Sequence, residues 1–370
     1  MIVLFIVLLS PGCTKKKQHT SVQRSISMCM GDAAHTGVAP VSGVRGSGMI
    51  MWKAQINSVA GTCMVADDEL VYVLSGMGSM YALDRASGVL RWQIKDRGLA
   101  TSPLIADTTV FVGTENNELF ALDRKTGRLT WKWTWDWPDR VLITTDLTVS
   151  GDAIYFGSCF GHVFSIDIDN GKMNWVFKAG PFVQASPAVA GDTVFIASVD
   201  GKMYALTRDE GKVKWTYQAK GQLRSSPVVA GNMVLFRNEY GNLAALDTGT
   251  GDLIWTFVVN STTQLPPAVF ENTAYFGDEQ GNIYAVDVRS GGEKWRQKAG
   301  GGITGPAVIA DGIVYFGSKD KQIYALDAAT GDIKWKHEMV GAVAVAPAVG
   351  NNLVIVADEA GRITAIAQRP

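Results

Sequence analysis

The residues best suited to covalent or metal chemistry are the histidines and cysteines, and their spacing predicts neither a catalytic site nor a metal site. The histidines are scattered, without the close pairs typical of zinc ligands. No two cysteines are adjacent, and no Cys-x-x-Cys-His haem-attachment segment occurs. With Cys13 assigned to processing at the amino terminus, three cysteines remain. This odd count favours reduced side chains, while one disulfide of undetermined pairing stays open. The remaining cysteines are Cys29, Cys63 and Cys159, and the histidines are His19, His35, His162 and His337.

The carboxylates are largely explained by a recurring turn. Six aspartates begin a phrase that is Asp-x-x-Thr-Gly or a close variant. The carboxylate accepts backbone N–H groups in such a turn, and the glycine supplies a positive φ. No aspartate is left over as a general base, and no motif supports a Ser-His-Asp site. We therefore predict a binding protein rather than an enzyme. These aspartates are Asp84, Asp123, Asp167, Asp247, Asp287 and Asp327.

The amino-terminal 49 residues read as an export and anchoring segment. The apolar run from Ile2 to Leu9 is too short to cross a bilayer and is typical of a signal peptide over residues 1–12. Gly12-Cys13 resembles the end of a bacterial lipobox, which predicts lipidation of Cys13. The alternative is a cleaved leader that ends at a free cysteine. Residues 13–49 then form a polar, lysine-rich tether and a lead-in.

Tryptophans define a repeat over the rest of the chain. Eight of them recur at intervals of 40, 39, 44, 40, 40, 40 and 40 residues. Phrases such as Tyr81-Ala82-Leu83-Asp84 precede most of them. The alanine is small, so we expect the tryptophan of a neighbouring sheet to lie over it. The repeat indicates a propeller or a solenoid. The tryptophans are Trp52, Trp92, Trp131, Trp175, Trp215, Trp255, Trp295 and Trp335.

Each repeat reads as four short strands with turn residues between them, which predicts an all-β fold of four-stranded antiparallel blades. The last repeat ends at Pro370 and lacks a tryptophan strand, whereas Met51-Trp52-Lys53-Ala54 is such a strand without a repeat before it. We expect the amino-terminal strand to complete the last blade, because closure removes open sheet edges. The prediction for residues 50–370 is an eight-bladed β-propeller.

These motifs resemble the pyrroloquinoline-quinone (PQQ)-like β-propeller repeat family over residues 52–367. Met30-Gly31-Asp32 and Thr36-Gly37 resemble the lead-in of secreted members. Quinoprotein dehydrogenases of this family hold PQQ over calcium in the axial funnel, often beside a disulfide of adjacent cysteines. The resemblance therefore implies PQQ with calcium as an alternative, and our principal expectation is that the chain binds no cofactor.

A lipid anchor followed by eight such blades resembles the outer-membrane assembly lipoproteins of the family. In them the propeller is a scaffold that docks the barrel-insertion machinery through loops between the outermost strand of one blade and the innermost strand of the next. Leu223 and Arg224 match a Leu-Arg pair in one such loop, whereas the next loop lacks the expected aspartates. The resemblance implies an envelope protein partner at the periplasmic face of the outer membrane and no nucleic acid, in agreement with the net charge of −1.

The interval of 44 residues suggests another contact surface. Trp133 has aromatic counterparts in other repeats, but Trp135 and Trp137 have none. Aromatic residues and arginine are enriched at protein interfaces, so we predict a partner-contact ridge of Trp135, Trp137 and Arg140. Packing beneath a longer loop is the alternative. Acidic turns also predict a negative rim on the same face, with ordinary solvated turns as the alternative; they contain Glu115, Asp200, Glu239, Asp278, Glu279, Asp320, Asp358 and Glu359.

Overall fold

Eight antiparallel sheets form a closed ring in the computed structural model. The structure describes residues 26–368 apart from 40–41, 47, 58–62, 96, 136–141, 260, 264, 344 and 351. The innermost strands of neighbouring blades contact one another around the axis. The eight-bladed propeller expected from the repeat is therefore confirmed. Among the described residues there is no apolar helix of membrane-spanning length.

The strands of each blade are given from the axis outwards. Blades 1 to 4 contain Val65–Ala66, Leu70–Leu74, Met80–Asp84 and Leu90–Ile94; Leu104–Ala106, Thr109–Gly113, Glu118–Asp123 and Leu129–Thr134; Thr148–Ser150, Ala153–Gly157, His162–Asp167 and Met173–Lys178; Ala188–Ala190, Thr193–Ala197, Lys202–Thr207 and Val213–Gln218. Blades 5 to 8 contain Val228–Ala230, Met233–Arg237, Leu243–Asp247 and Leu253–Phe257; Ala268–Phe270, Thr273–Gly277, Asn282–Asp287 and Glu293–Lys298; Val308–Ala310, Ile313–Gly317, Gln322–Asp327 and Ile333–Glu338; Ala348–Gly350, Leu353–Ala357, Arg362–Gln368 and Gly48–Gln55. Ile26–Ser27 is an additional strand at the inner edge of blade 2.

The burial pattern explains why these short segments form stable sheets. The second strand of most blades is buried on both faces, as in Ala153–Gly157, because each sheet is covered by two neighbours. The outermost strand alternates between exposed and covered residues, as in Glu293–Lys298. The apolar core therefore lies between the blades, in layers that continue around the ring.

The amino-terminal strand closes the ring. Gly48–Gln55 pairs with Arg362–Gln368, and Trp52 lies opposite Ala365. This pairing supplies the tryptophan strand that the last repeat lacks, so the predicted closure is confirmed. The amino-terminal strand therefore covers the edge of Arg362–Gln368 that would otherwise face solvent unpaired.

A tryptophan of one blade and a glycine of the next join seven of the eight pairs of adjacent blades, and we call this contact the tryptophan latch. The Trp215 indole Nε1 in blade 4 donates a 2.9 Å hydrogen bond to the Thr248 carbonyl in blade 5. A Cβ atom on Gly251, which has a φ of 78°, would lie 2.6 Å from the Trp215 ring. Glycine is therefore required by both the backbone and the packing.

The latch recurs around the ring and corrects one expectation. The other tryptophan–glycine pairs are Trp52–Gly88, Trp92–Gly127, Trp131–Gly171, Trp175–Gly211, Trp255–Gly291 and Trp295–Gly331. The repeat alanine lies opposite the tryptophan of its own sheet, as Ala205 lies opposite Trp215. The prediction that a neighbouring tryptophan lies over the alanine was therefore wrong, because that indole contacts the glycine of the turn.

The turn aspartates act as their phrase predicts. Asp287 Oδ1 accepts the backbone N–H groups of Arg289 and Ser290, each at 3.0 Å. These bonds and Lys294 lower the pKa of Asp287, because they stabilise the ionised carboxylate. Such contacts keep the turn in the shape that presents its glycine to the latch.

The lead-in, residues 28–45 without 40–41, lines the axial channel. Its carbonyl groups at Ala33, Ala34, Thr36 and Gly37 accept hydrogen bonds from innermost strands, and each lies against a different blade. The donors are the N–H groups of Val189, Val229, Val269 and Ile309, at 2.6 to 2.9 Å. The lead-in thereby satisfies strand edges that would otherwise face an empty channel. Its Val44 carbonyl accepts the Nε1 hydrogen bond of Trp335, so it also completes the latch at blade 7.

His35 fastens the lead-in across the channel. Its Nδ1 donates to the Pro227 carbonyl in the loop before blade 5, and its Nε2 accepts from the Thr148 hydroxyl of blade 3 at 2.9 Å. A proline carbonyl only accepts, so the neutral ring must carry its proton on Nδ1. Burial lowers the pKa of His35 to about 4 because the imidazolium is desolvated.

The latch predicts different costs for two glycine substitutions. Gly251→Ala places a methyl group against Trp215, whereas no atom lies within 4 Å of a Cβ on Gly231, which also has a positive φ. Both variants incur a backbone cost of about 1–2 kcal/mol. Gly251→Ala should lower the free energy of unfolding by roughly 1–3 kcal/mol more, from overpacking. Guanidinium denaturation measures the difference, and it should disappear in a Trp215→Ala background. Equal losses in the original background would refute the packing role.

His35 predicts a loss of stability in mild acid. The unfolded chain takes up a proton near the ordinary pKa of 6.5, and the folded chain only near 4. The contribution is therefore fully present above the higher pKa and falls as the pH drops towards the lower one. The free energy of unfolding should be roughly 2 kcal/mol lower at about pH 5 than at neutral pH from this residue. His35→Gln should remove that part of the pH dependence, and an unchanged pH profile of unfolding would contradict the assignment.

Candidate functional site

Two kinds of loop meet on one face of the propeller, which we call the loop face. The loop that enters each blade contacts the turn between the second and third strands of that blade. Examples are the backbone bonds from Val199 N to Phe182 O and from Glu239 N to Gln222 O. The expectation that these loops share a face is therefore confirmed, and both partner-contact hypotheses concern this face.

Eight repeat positions form an axial ring on the loop-face side of the channel. Each position lies two residues before an innermost strand. The ring contains Cys63, Ser102, Asp146, Ser186, Ser226, Pro266, Pro306 and Ala346. Hydrogen bonds connect five of these positions from blade to blade. The N–H groups of Cys63, Asp146 and Ser186 donate to the serine hydroxyls of the next blade, each at 3.0 Å, and Ser102 N–H donates to Asp146 Oδ1 at 2.7 Å.

The axial mouth is a cavity of about 330 Å³ inside this ring. Its floor is the lead-in, represented by Cys29, Met30 and His35. Asp146 is the only carboxylate among the described residues that line it, and none of those residues is a lysine or an arginine. Burial raises the pKa of Asp146, because desolvation disfavours the carboxylate more than the Ser102 bond stabilises it.

A disulfide joins Cys29 of the lead-in to Cys63 of the axial ring. The expectation of reduced cysteines was wrong for this pair, because the lead-in brings residues 34 apart in sequence together at the axis. Cys159 is a free thiol. The Cys29 and Cys63 sulfurs and a carboxylate oxygen of Asp146 all lie within 4.8 Å of one another. Sequence spacing predicted no metal ligands, and this cluster is visible only after folding.

The axial mouth does not fit PQQ. This quinone carries three carboxylates, which would need cationic or N–H partners when buried. The lining offers hydroxyls, prolines and the acidic Asp146 but no cationic side chain among its described residues, and the low pKa of His35 keeps that ring neutral. The lead-in also occupies the channel beneath the cavity.

Only one of the two Leu-Arg candidates presents its side chain to solvent. Leu223 is buried, and its position corresponds to Ile143, Val183, Ile303 and Val343 in other loops, which are also buried. It therefore serves to pack the loop against the blade. Arg224 is exposed and donates to the amide oxygens of Gln222 and Gln184. It forms no ion pair with a carboxylate in the described part of the chain.

Of the three residues of the predicted partner-contact ridge, Trp135 is the one that lies among the described residues. Trp135 is half-buried and packs against Trp133 and Phe164, with ring centroids 6.2 and 5.0 Å away. This arrangement favours the packing alternative for Trp135, while a contact role stays a prediction. Trp137 and Arg140 lie outside the described residues, as does Cys13.

Exposed apolar side chains occur on the loops and turns of blades 3 to 5, as Arg224 does, and were missed in the sequence. We call Leu142, Phe160, Phe182 and Tyr240, together with Arg224, the apolar strip. Backbone contacts connect them across blades 3 to 5: the Leu142 carbonyl accepts from Cys159 N, and Gly161 packs against Pro181. The available signal was Phe160 and Tyr240 in turns where several other repeats have acidic residues.

The acidic rim is smaller than its composition suggests. Asp278 and Asp358 are buried and accept several hydrogen bonds within their turns. Asp200 and Asp320 accept from the Tyr204 and Tyr324 hydroxyls. The exposed acidic side chains in these turns are Glu115, Glu279 and Glu359. For the aspartates, the alternative of ordinary turn chemistry is the better interpretation.

Comparisons with known proteins return two kinds of relative. A quinoprotein ethanol dehydrogenase of Pseudomonas putida is 32% identical over 91 residues, which are 23% of this chain and only 15% of that relative's length. The crystal structure of BamB from Moraxella catarrhalis matches with a TM-score of 0.69 and 20% identity, over 86% of this chain and 99% of that one. The quinohemoprotein alcohol dehydrogenase ADHIIG of Pseudomonas putida HK5 matches with 0.80 and 14% identity, over 92% and 79%.

The structural matches establish the propeller fold, and the family follows from a match along nearly the whole chain. The family model described as outer membrane protein assembly factor BamB aligns with residues 39–178, 160–302 and 279–369. These segments include all eight blades and end close to the carboxyl terminus. The chain therefore belongs to the BamB family of PQQ-like β-propellers.

Proposed function

We propose that this protein is a non-catalytic scaffold of the bacterial cell envelope that docks a protein partner on its loop face. The observation that carries the proposal is the apolar strip, in which Phe182 and Arg224 lie on the loops that enter two successive blades. Phe160 and Phe182 are each 44% exposed and Tyr240 is 55% exposed. Exposed aromatic residues grouped near an arginine are typical of binding hot spots.

The strip indicates the chemistry of its partner. Its apolar side chains fit an apolar segment that is also buried on contact. Arg224 is held by two neutral amides, so its positive charge remains available to a carboxylate of the partner. A segment with apolar side chains and one acidic residue therefore fits best. The family description points to the outer-membrane protein assembly machinery as the source of this segment.

In this proposal the amino-terminal segment attaches the propeller to the membrane. A lipid on Cys13, followed by the polar residues 14–25, would hold the propeller on a tether at the periplasmic face of the outer membrane. A single acyl chain binds a membrane weakly, whereas the several chains of a bacterial lipoprotein hold it stably. Such a tether would leave the loop face free to meet its partner.

A quinoprotein enzyme is the second candidate, favoured by the 32% identity to the ethanol dehydrogenase. The axial mouth argues against it. A quinone with three carboxylates would lie beside Asp146 without a neutralising cationic side chain among the described lining residues. We therefore place function on the loop face rather than at the axis.

Docking is tested by charge and polarity changes in the strip. Arg224→Glu and Phe182→Ser should each weaken partner capture by about tenfold or more, because each removes roughly 1.4 kcal/mol or more of binding free energy. The measurement is photo-crosslinking in intact cells from a probe that replaces the exposed Tyr240, so that both variants can carry it, followed by identification of the captured outer-membrane assembly component.

The control for docking lies on the opposite face. Asp209→Lys changes an exposed residue in a turn between the two outermost strands of blade 4 and should leave capture unchanged. Thermal unfolding should be similar in all variants, because the three residues are exposed. Capture of the assembly component that survives Arg224→Glu and Phe182→Ser would overturn the proposed surface.

The quinone alternative gives a separate prediction. Purified protein mixed with PQQ and calcium should show no saturable change in quinone absorbance, because the mouth lacks cations for the carboxylates. A quinoprotein dehydrogenase depleted of its cofactor serves as the positive control. Stoichiometric uptake of PQQ that is lost in a Ser186→Phe variant, which narrows the mouth without adding charge, would support the enzyme instead.

A further inference from the structure

We propose that the axial mouth becomes a site for one borderline divalent cation of the zinc class when the Cys29–Cys63 disulfide is reduced, with both thiolates and the Asp146 carboxylate as ligands. This inference is independent of the docking function. It rests on the position of the three side chains and on the way that Ser102 holds two of them.

The three ligand atoms already lie together. Both sulfurs and an Asp146 oxygen fall within 4.8 Å of one another. A tetrahedral zinc ion with Zn–S bonds of about 2.3 Å and Zn–O bonds of about 2.1 Å needs ligand atoms roughly 3.5–3.8 Å apart. The Cα atoms of the cysteines are 5.6 Å apart, so side-chain rotation is enough to separate the sulfurs to that spacing.

Ser102 orients two ligands at once. Its hydroxyl accepts the Cys63 N–H at 3.0 Å, and its own N–H donates to Asp146 Oδ1 at 2.7 Å. A group that holds ligands in this way is what a metal site uses in its outer shell. The contacts depend on backbone and hydroxyl groups, so they remain available when the disulfide opens.

The carboxylate has no cationic neighbour of its own. Asp146 is the one carboxylate of the axial ring and forms no ion pair with any described lysine or arginine. Two thiolates with one carboxylate favour a borderline cation such as zinc over calcium or magnesium. The fourth position faces the cavity of about 330 Å³ and is open to water.

The redox step is balanced by a dithiol reductant. One dithiol thiolate attacks a sulfur of the disulfide, the Cys29–Cys63 bond breaks, and the dithiol is oxidised to its own disulfide. The two protons of the dithiol end on the cysteine thiols. Binding of the cation then releases these two protons to solvent. In the oxidised protein neither sulfur is a thiolate, so the site is absent.

The test uses cadmium as a spectroscopic probe for the zinc class. The full chain carries Cys13→Ser and Cys159→Ser, so that Cys29 and Cys63 are the only thiols. It is reduced with dithiothreitol, which is then removed under argon. Reduced protein should bind one equivalent of Cd²⁺ with a thiolate-to-metal charge-transfer band, and zinc should displace the cadmium. Oxidised protein should give no band.

Matched variants locate the third ligand. Asp146→Asn keeps the shape of the side chain and should weaken cadmium binding by about tenfold or more, whereas Asp152→Asn in the same blade should have no effect. Circular dichroism checks that the reduced protein keeps its sheet signal. The proposal is overturned by a missing band, by equal binding to oxidised protein, by wild-type affinity in Asp146→Asn, or by unfolding on reduction.

Discussion

The blades of this protein depend on their neighbours through a contact between an indole and a glycine, which occurs at seven junctions, while Trp335 at the eighth bonds to Val44 of the lead-in. The tryptophan of one sheet extends to the turn of the next, where its N–H group finds a carbonyl and its ring covers a residue without a side chain. Burial of an indole contributes several kcal/mol, on the order of 3–5 by truncation series. The same contact recurs at seven junctions around the ring and joins each of those sheets to the next. In blade 8 the tryptophan comes from the amino-terminal strand, and this Trp52 makes the contact with Gly88 of blade 1.

The closed ring also explains why the lead-in fills the axial channel. A ring of eight inner strands leaves a channel edged with backbone N–H groups, which need acceptors when they are buried. The lead-in supplies them from its own main chain, and His35 and the disulfide hold it there. The channel that could have held a large cofactor is thus largely occupied by polypeptide. A cavity of about 330 Å³ remains at the axial mouth, while exposed apolar side chains lie on the loops.

The sequence predicted what is local and periodic. Tryptophan spacing, the aspartate turn and the unpaired strand at Trp52 each depend on a few neighbouring residues, so fold, blade number and closure followed. The lead-in bonds use carbonyls of Ala33, Ala34, Thr36 and Gly37, and main-chain groups leave no signature in side chains. Cys29 and Cys63 meet only because the lead-in enters the axis. Leu223 was predicted to be a contact residue from the Leu-Arg pair of the family, whereas its burial follows from a repeat position that holds isoleucine or valine in several other loops.

In blade 5, the role of one strand residue, Arg237, also could not be predicted from the repeat. Arg237 occupies a position that is glycine in several other blades, and it is wholly buried. It donates to the carbonyls of Gly241, Leu265 and Gly277 and lies over the Phe276 ring at 4.7 Å. Thr263 occupies the loop position held by larger apolar residues in other blades. An arginine in a buried strand could therefore be understood only together with a loop residue from the next repeat.

The path of the lead-in has a consequence for the order in which the chain assembles. Residues 33–37 are synthesised before all eight blades, yet their hydrogen-bond donors belong to blades 4, 5, 6 and 7. The strand at residues 48–55 can pair only after residues 362–368 have been synthesised. The lead-in and the strand at residues 48–55 therefore gain their partners late, although they precede the blades in the sequence. Until residues 362–368 are made, the growing chain is an open arc with two unpaired ends, and the pairing of these residues with residues 48–55 is what makes it a ring.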